Sequence, residues 1–182
     1  MRNKIMPKTN SVVAVFESHD KAEEAVSELQ RSGFDMQKLS VIGRDYQTEE
    51  HVVGYYNIGE RMQYWGKLGA FWGGLWGMLF GSAFFWLPII GPVVVAGPLV
   101  AWIIGALESA VVVGGFSALG AALASIGIPK NSIVQYEARV KAGQFLLIAH
   151  GTPDEVARAK QVLDQGQPTE STVHAEPAAV HA

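Results

Sequence analysis

Five histidines are the side chains here best suited to acid–base or metal chemistry: His19, His51, His150, His174 and His181. They share no metal-ligand spacing. The chain has no cysteine, which removes disulfides, thiolate metal sites and cysteine nucleophiles. His150 and Gly151 follow the apolar run Phe145–Ala149, and strand ends are common places for a site. Without a visible partner, His150 reads as structural. No nucleophile elbow, phosphate loop or zinc motif is present. Catalytic, metal-binding and cofactor-binding residues are therefore assigned to none. No small-molecule substrate is evident, and the chain reads as a non-enzyme. Glu108 is the remaining chemical candidate. From Gly66 to Ile128 the ionisable side chains are Lys67 and Glu108 alone. A carboxylate deep in lipid is expensive and serves relays or ion paths. The same residue at the border of an apolar segment is an ordinary boundary group. Both readings stay open.

The elements that would position Glu108 are unusual. Gly69, Gly73, Gly77 and Gly81 recur at every fourth residue, beside Trp72, Trp76, Phe80 and Phe84. On a helix this spacing makes a groove next to an aromatic ridge. Interior glycines weaken a helix in water by roughly 1 kcal/mol each. Between apolar helices they permit close backbone approach. Gly66–Leu87 supplies about the 20 residues that a membrane span needs. Tyr64 and Trp65 at one end and Trp86 at the other suit interfacial anchors. Pro88, Pro92 and Pro98, with Gly91 and Gly97, then read as an uncharged turn. The return segment Leu99–Ile126 carries Ala106, Ala110, Gly114, Ala118 and Ala122 at the same spacing. A second small stripe runs through Ala101, Gly105 and Ser109. Residues 66–128 are thus expected to form an apolar helical hairpin. Its ladder Gly69–Gly81 is expected to pack against Ala106, Ala110, Gly114 and Ala118, within one chain or between copies.

The flanks look like halves of one domain. Ser11–Phe16 is β-prone, and Ser18, His19 and Asp20 offer a helix cap. Ala22, Ala25, Val26 and Leu29 follow at helical spacing, with Gly33 past the end. Leu39–Gly43 reads as a second strand. In the second flank, Pro129 opens a helix with Ile133, Tyr136 and Val140, stopped by Gly143. Phe145–Ala149 is a strand apolar on both faces. Thr152 and Glu155 have the capping-box spacing, ahead of Val156, Ala159, Val162 and Leu163. A last edge strand lies near Thr172–His174. Neither flank buries much alone. The expected fold is α+β, a split ferredoxin-like sandwich with the glycine-rich apolar hairpin inserted. Its parts are 11–45 (first half), 46–65 (juxtamembrane linker), 66–128 (hairpin), 129–165 (second half) and 166–182 (disordered tail).

Chain length, 182 residues, fits one domain plus an extra element, and a net charge of −3 gives no pull toward nucleic acid. No cleaved signal is read at the start.

Three segments carry a resemblance: IIGPVVVAGPLVAWIIGALESA, FSALGAALASIGIPKNS and VQYEARVKAGQFLLIAHG. With VVAVFESHDKAEEAVSELQRSGF they resemble bacterial general stress proteins and low-temperature-induced proteins, over about residues 11 to 165. The specific pieces are Gly91-Pro92, Gly97-Pro98, Gly127-Ile128-Pro129, Tyr136-Glu137 and Gly143. The resemblance implies a stress-linked, membrane-associated protein rather than an enzyme. The expected partners are the chain itself, as a homo-oligomer, and a lipid bilayer. The expected location is the bacterial inner membrane with the α+β domain cytoplasmic. Two alternatives are a cytoplasmic shell, ring or filament burying the same helices, and a channel-like assembly using Glu108.

Overall fold

The computed structural model describes residues 10–44, 82–87, 90–108 and 117–175. The first flank folds as its local signals dictate. Strand β1 (Asn10–Phe16) leads to helix α1 (His19–Arg31), whose N-cap Ser18 accepts a hydrogen bond from the Lys21 N–H. A 3₁₀ turn at Met36–Lys38 precedes β2 (Leu39–Arg44). In the second flank, α4 (Lys130–Lys141), β5 (Phe145–Gly151), α5 (Pro153–Gln165) and β6 (Glu170–Ala175) follow. Thr152 and Glu155 form the expected capping box, with Pro153 in the first turn of α5.

The centre departs from expectation. Ser82–Leu87 and Gly91–Ala96 are strands, β3 and β4, paired antiparallel from Ser82↔Ala96 to Leu87↔Gly91. They extend the sheet rather than ending a helix or forming a bare turn. The run Val93-Val94-Val95 and the aromatic Phe84-Phe85-Trp86 favour a pleated surface. β2 offers them a partner, pairing β4 from Val41↔Ala96 to Arg44↔Val93. Pro92 lies one residue beyond that pairing, where a missing N–H is tolerated. Trp86 is therefore a strand residue and not an interfacial anchor of a span.

The return segment is not one long helix. Helix α2 is Leu99–Glu108 and helix α3 is Ala118–Ser125. Ser117, with ψ 168°, is extended and caps α3 by accepting from the Gly120 N–H at 3.1 Å. Ten residues of α2 reach about 15 Å, half of a hydrocarbon core of about 30 Å. Among the described residues, no helix is long and apolar enough to cross a membrane. The membrane hairpin, the transmembrane reading and the inner-membrane location are overturned by this finding, and the channel built on Glu108 falls with them.

The architecture is α+β. Six antiparallel strands run in the order β3-β4-β2-β5-β1-β6. Helices α1 and α5 cover one face, over Val12, Ala14, Phe16, Phe145, Leu147 and Ala149. Helices α2, α3 and α4 cover the other, over Val13, Val15, Ile42, Val93, Leu146 and Ile148. β1 and β5 are thus buried on both sides, which is why both read as unbroken apolar runs. One polar contact ties the inserted layer to the sheet. The buried Ser40 Oγ of β2 accepts the Leu99 N–H at 3.1 Å, satisfying a donor at the start of α2.

Candidate functional site

Strand register assembles a polar row that no local spacing reveals. Ser11 of β1 stands opposite His150 of β5 on one side and His174 of β6 on the other. Alternation puts Ser11 on the face shared by Val13 and Val15, under α2 to α4. Ser11 is 1% exposed and His174 8%. α4 lowers Tyr136, which is fully buried, onto this row. Its hydroxyl and His174 Nε2 are hydrogen-bonded at 2.7 Å, and the rings meet edge-on at 5.8 Å. α2 lowers Trp102 onto His150, again edge-on, at 5.3 Å. The Ser11 Oγ and His150 Nδ1 atoms are buried without a hydrogen-bond partner.

The row is held electrically neutral. Burial lowers the pKa of His174 against the opposing pull of Glu170. Burial, then the Lys38 ammonium, lowers that of His150. Burial, reinforced by Glu170, pushes the Tyr136 phenol up to about 12. An activated serine needs a hydrogen-bonded base, and the Ser11 Oγ has none.

Two neighbouring features are charged. Lys38 Nζ donates to Glu155 Oε1 at 2.7 Å, joining the 3₁₀ turn to the start of α5. That bond, with the Thr152 backbone, holds the Glu155 carboxyl down at about 2. On the first turn of α1, ligand atoms of His19, Asp20 and Glu23 lie within 4.8 Å of one another. His19 Nδ1 and Glu23 Oε2 are 3.5 Å apart, and burial lowers the His19 pKa. These three residues could offer at most part of a metal shell, since a structural zinc takes four ligands. Sequence reading missed the row. Its members lie far apart in the chain, and only the pairing of β5, β1 and β6 brings them together.

The residues singled out for packing are dispersed. Gly69, Gly73, Gly77, Gly81, Pro88, Ala110 and Gly114 lie outside the described residues. Ala106 is half-buried in the last turn of α2, and Ala118 is the half-buried first residue of α3. The extended Ser117 separates them, so the stripe does not run along one helix. Glu108 is the last residue of α2, not the middle of a long apolar helix. Pro92 is the second residue of β4, and Pro98 immediately precedes α2. The second stripe fares differently. Its Ala101 and Gly105 are exposed on α2 beside the exposed Ile104, a Cβ built on Gly105 would meet nothing within 4 Å, and Ser109 lies outside the described residues.

Neither the curated proteins nor the solved structures contain a match to this chain. The family model of the heat induced stress protein YflT domain matches residues 11–84, from β1 through α1 and β2 to the first half of β3. Over this segment the chain is similar to heat induced stress proteins, in keeping with the general stress protein resemblance.

Proposed function

We propose that this is a non-enzymatic stress-associated protein that works by binding copies of itself. The observation carrying the reading is the outer face of α2. The helix sequence LVAWIIGALE is apolar nearly all round, and a helix of that kind is ordinarily enclosed. Here Leu99 and Ile103 face the core, while Ala101, Ile104 and Gly105 remain exposed. Ile104 is 41% exposed. The open space above Gly105 allows a neighbouring backbone to approach closely. A homo-oligomeric ring, shell or filament would bury this face. Gly69, Gly73, Gly77 and Gly81 are assigned to the same kind of contact.

For the body that is assembled, the proposal is a split ferredoxin-like unit, β1-α1-β2 and β5-α5-β6. The order β2-β5-β1-β6 and the placement of α1 and α5 on one face support it. The insert between β2 and β5 then brings β3, β4, α2, α3 and α4, and so carries the contact face.

Sedimentation velocity tests the self-binding. The wild-type chain is expected to sediment as an oligomer. Ile104→Asp and Gly105→Lys are expected to shift it to monomer with unchanged far-ultraviolet circular dichroism. A monomeric wild type, or an oligomer of unaltered size in both variants, would refute the reading.

A further inference from the structure

β6 differs from every strand around it. Among the described strands it pairs with β1 alone, at the end of the sheet. β1 and β5 bury nearly every residue, whereas β6 buries one, His174. Few attachments hold it. On the α4 side these are the Tyr136–His174 hydrogen bond, a Tyr136–Thr172 side-chain hydrogen bond and a long Arg139–Glu170 pair at 3.9 Å. On the α5 side Lys160 Nζ donates to Ser171 Oγ at 3.1 Å, and the Asp164 carboxylate is also hydrogen-bonded to Ser171. The Thr169 N–H donates to the Val15 carbonyl at 2.8 Å where the strand begins. A segment with one buried side chain opens at far lower free energy than the core strands do.

The hinge behind β6 is strained. Gln167 has φ +52°, the one non-glycine positive φ among the described residues. It directly precedes Pro168, whose ring crowds the preceding residue and favours an extended backbone there. A bulky side chain in the left-handed region persists only while its surroundings enforce it. Detaching β6 would let Gln167 relax to extended backbone. Residues 166–169 could then reach about 13 Å, which is enough to carry the strand away from its own sheet.

We infer that the β1 edge is an exchange site whose second occupant is the β6 strand of another copy of this chain. The incoming strand would meet the same ladder, from Asn10↔Ala175 to Val15↔Glu170, and the same Tyr136–His174 bond. The swapped form therefore repeats the contacts of β6 with the body, giving up the Gln167 N–H bond to the Asp164 carbonyl while relieving the hinge. Short strained hinges next to an edge element are the setting in which such exchange occurs. Warming would promote it by populating the opened strand. This contact is separate from the outer face of α2.

The cysteine-free chain makes the exchange easy to trap. Asn10→Cys and Ala175→Cys together place a thiol on each strand at a partnered position. Equal amounts of ¹⁴N- and ¹⁵N-labelled double variant, both in an Ile104→Asp background, are mixed, warmed below the unfolding midpoint, cooled and oxidised. Mass spectrometry then reads the peptides joined through positions 10 and 175. Peptides of mixed label are expected, increasing with protein concentration during warming and absent when oxidation precedes mixing. Same-label peptides alone, at every concentration and temperature below unfolding, would overturn the inference. Gln167→Gly removes the strain and is expected to lower the mixed-label yield several-fold. An equal or higher yield would remove the hinge from the explanation. The Ile104→Asp background keeps these outcomes independent of the α2 contact.

Discussion

Gly97→Ala is expected to destabilise the fold by about 3–5 kcal/mol, the range reserved for strain against an unyielding neighbour. Gly97 has φ +79° where the chain leaves β4 for α2. A Cβ there would run into the Leu39 carbonyl oxygen and lie 3.0 Å from the Ser40 Cα. Both obstacles are backbone of β2, a central strand. Moving them would break the register Leu39↔Ala149 and Val41↔Ala96 together with the Ser40 cap on Leu99. Gly33→Ala is the control. Its φ is also +79°, yet nothing lies within 4 Å of the added atom. That change should cost about 1 kcal/mol, from the left-handed backbone alone. Urea unfolding of the two variants decides the matter. A Gly97→Ala loss no greater than that of Gly33→Ala would show that β2 yields where the geometry says it cannot.

Tyr136→Ala should cost about 3–5 kcal/mol, because it empties a fully enclosed ring position between α4 and the sheet. Tyr136→Phe isolates the hydroxyl. It strands the buried His174 Nε2, and about 1–3 kcal/mol should be lost. The pH profile follows from the same groups. His150 and His174, and with them His19 on α1, have folded pKa values below 6.5. Below 6.5 the unfolded chain takes up protons that the folded chain refuses, so stability falls as pH falls. The Tyr136 phenol ionises in the unfolded chain near 10.0 and in the folded chain at about 12. Stability is then lost again as pH rises from 10.0 toward 12. Unfolding free energy measured against pH should therefore show a plateau with an acid and an alkaline shoulder. Tyr136→Phe should abolish the contribution of this phenol to the alkaline shoulder. An alkaline limb identical in wild type and variant would show that another group produces it.

The flanking elements were legible in the sequence because their signals are local. Ser18 and the Thr152–Glu155 box start α1 and α5, and Gly33 and Gly143 end α1 and α4 in the left-handed conformation that glycine permits. The spacing of Ala22, Ala25, Val26 and Leu29 matches the buried face of α1. The α+β class follows from those same segments, whereas the stress-protein resemblance also draws on the central Gly91-Pro92 and Gly97-Pro98 stretch. β3 and β4 were not legible in this way. A short apolar run can be a buried strand or part of a helix, and periodicity alone cannot separate them. Phe84 fitted a helical ridge and Trp86 the end of that helix until β4 paired with β3, and Val93–Val95 fitted a turn until β2 paired with β4.

What the sequence by itself determined is where the flank helices α1, α4 and α5 start and stop, because caps and glycines act within a few residues. Only the tertiary structure decided that the centre joins the sheet and that His174, Ser11 and His150 share a row. Strand pairing is a contact between distant residues, and its register is set by which faces find a core to cover.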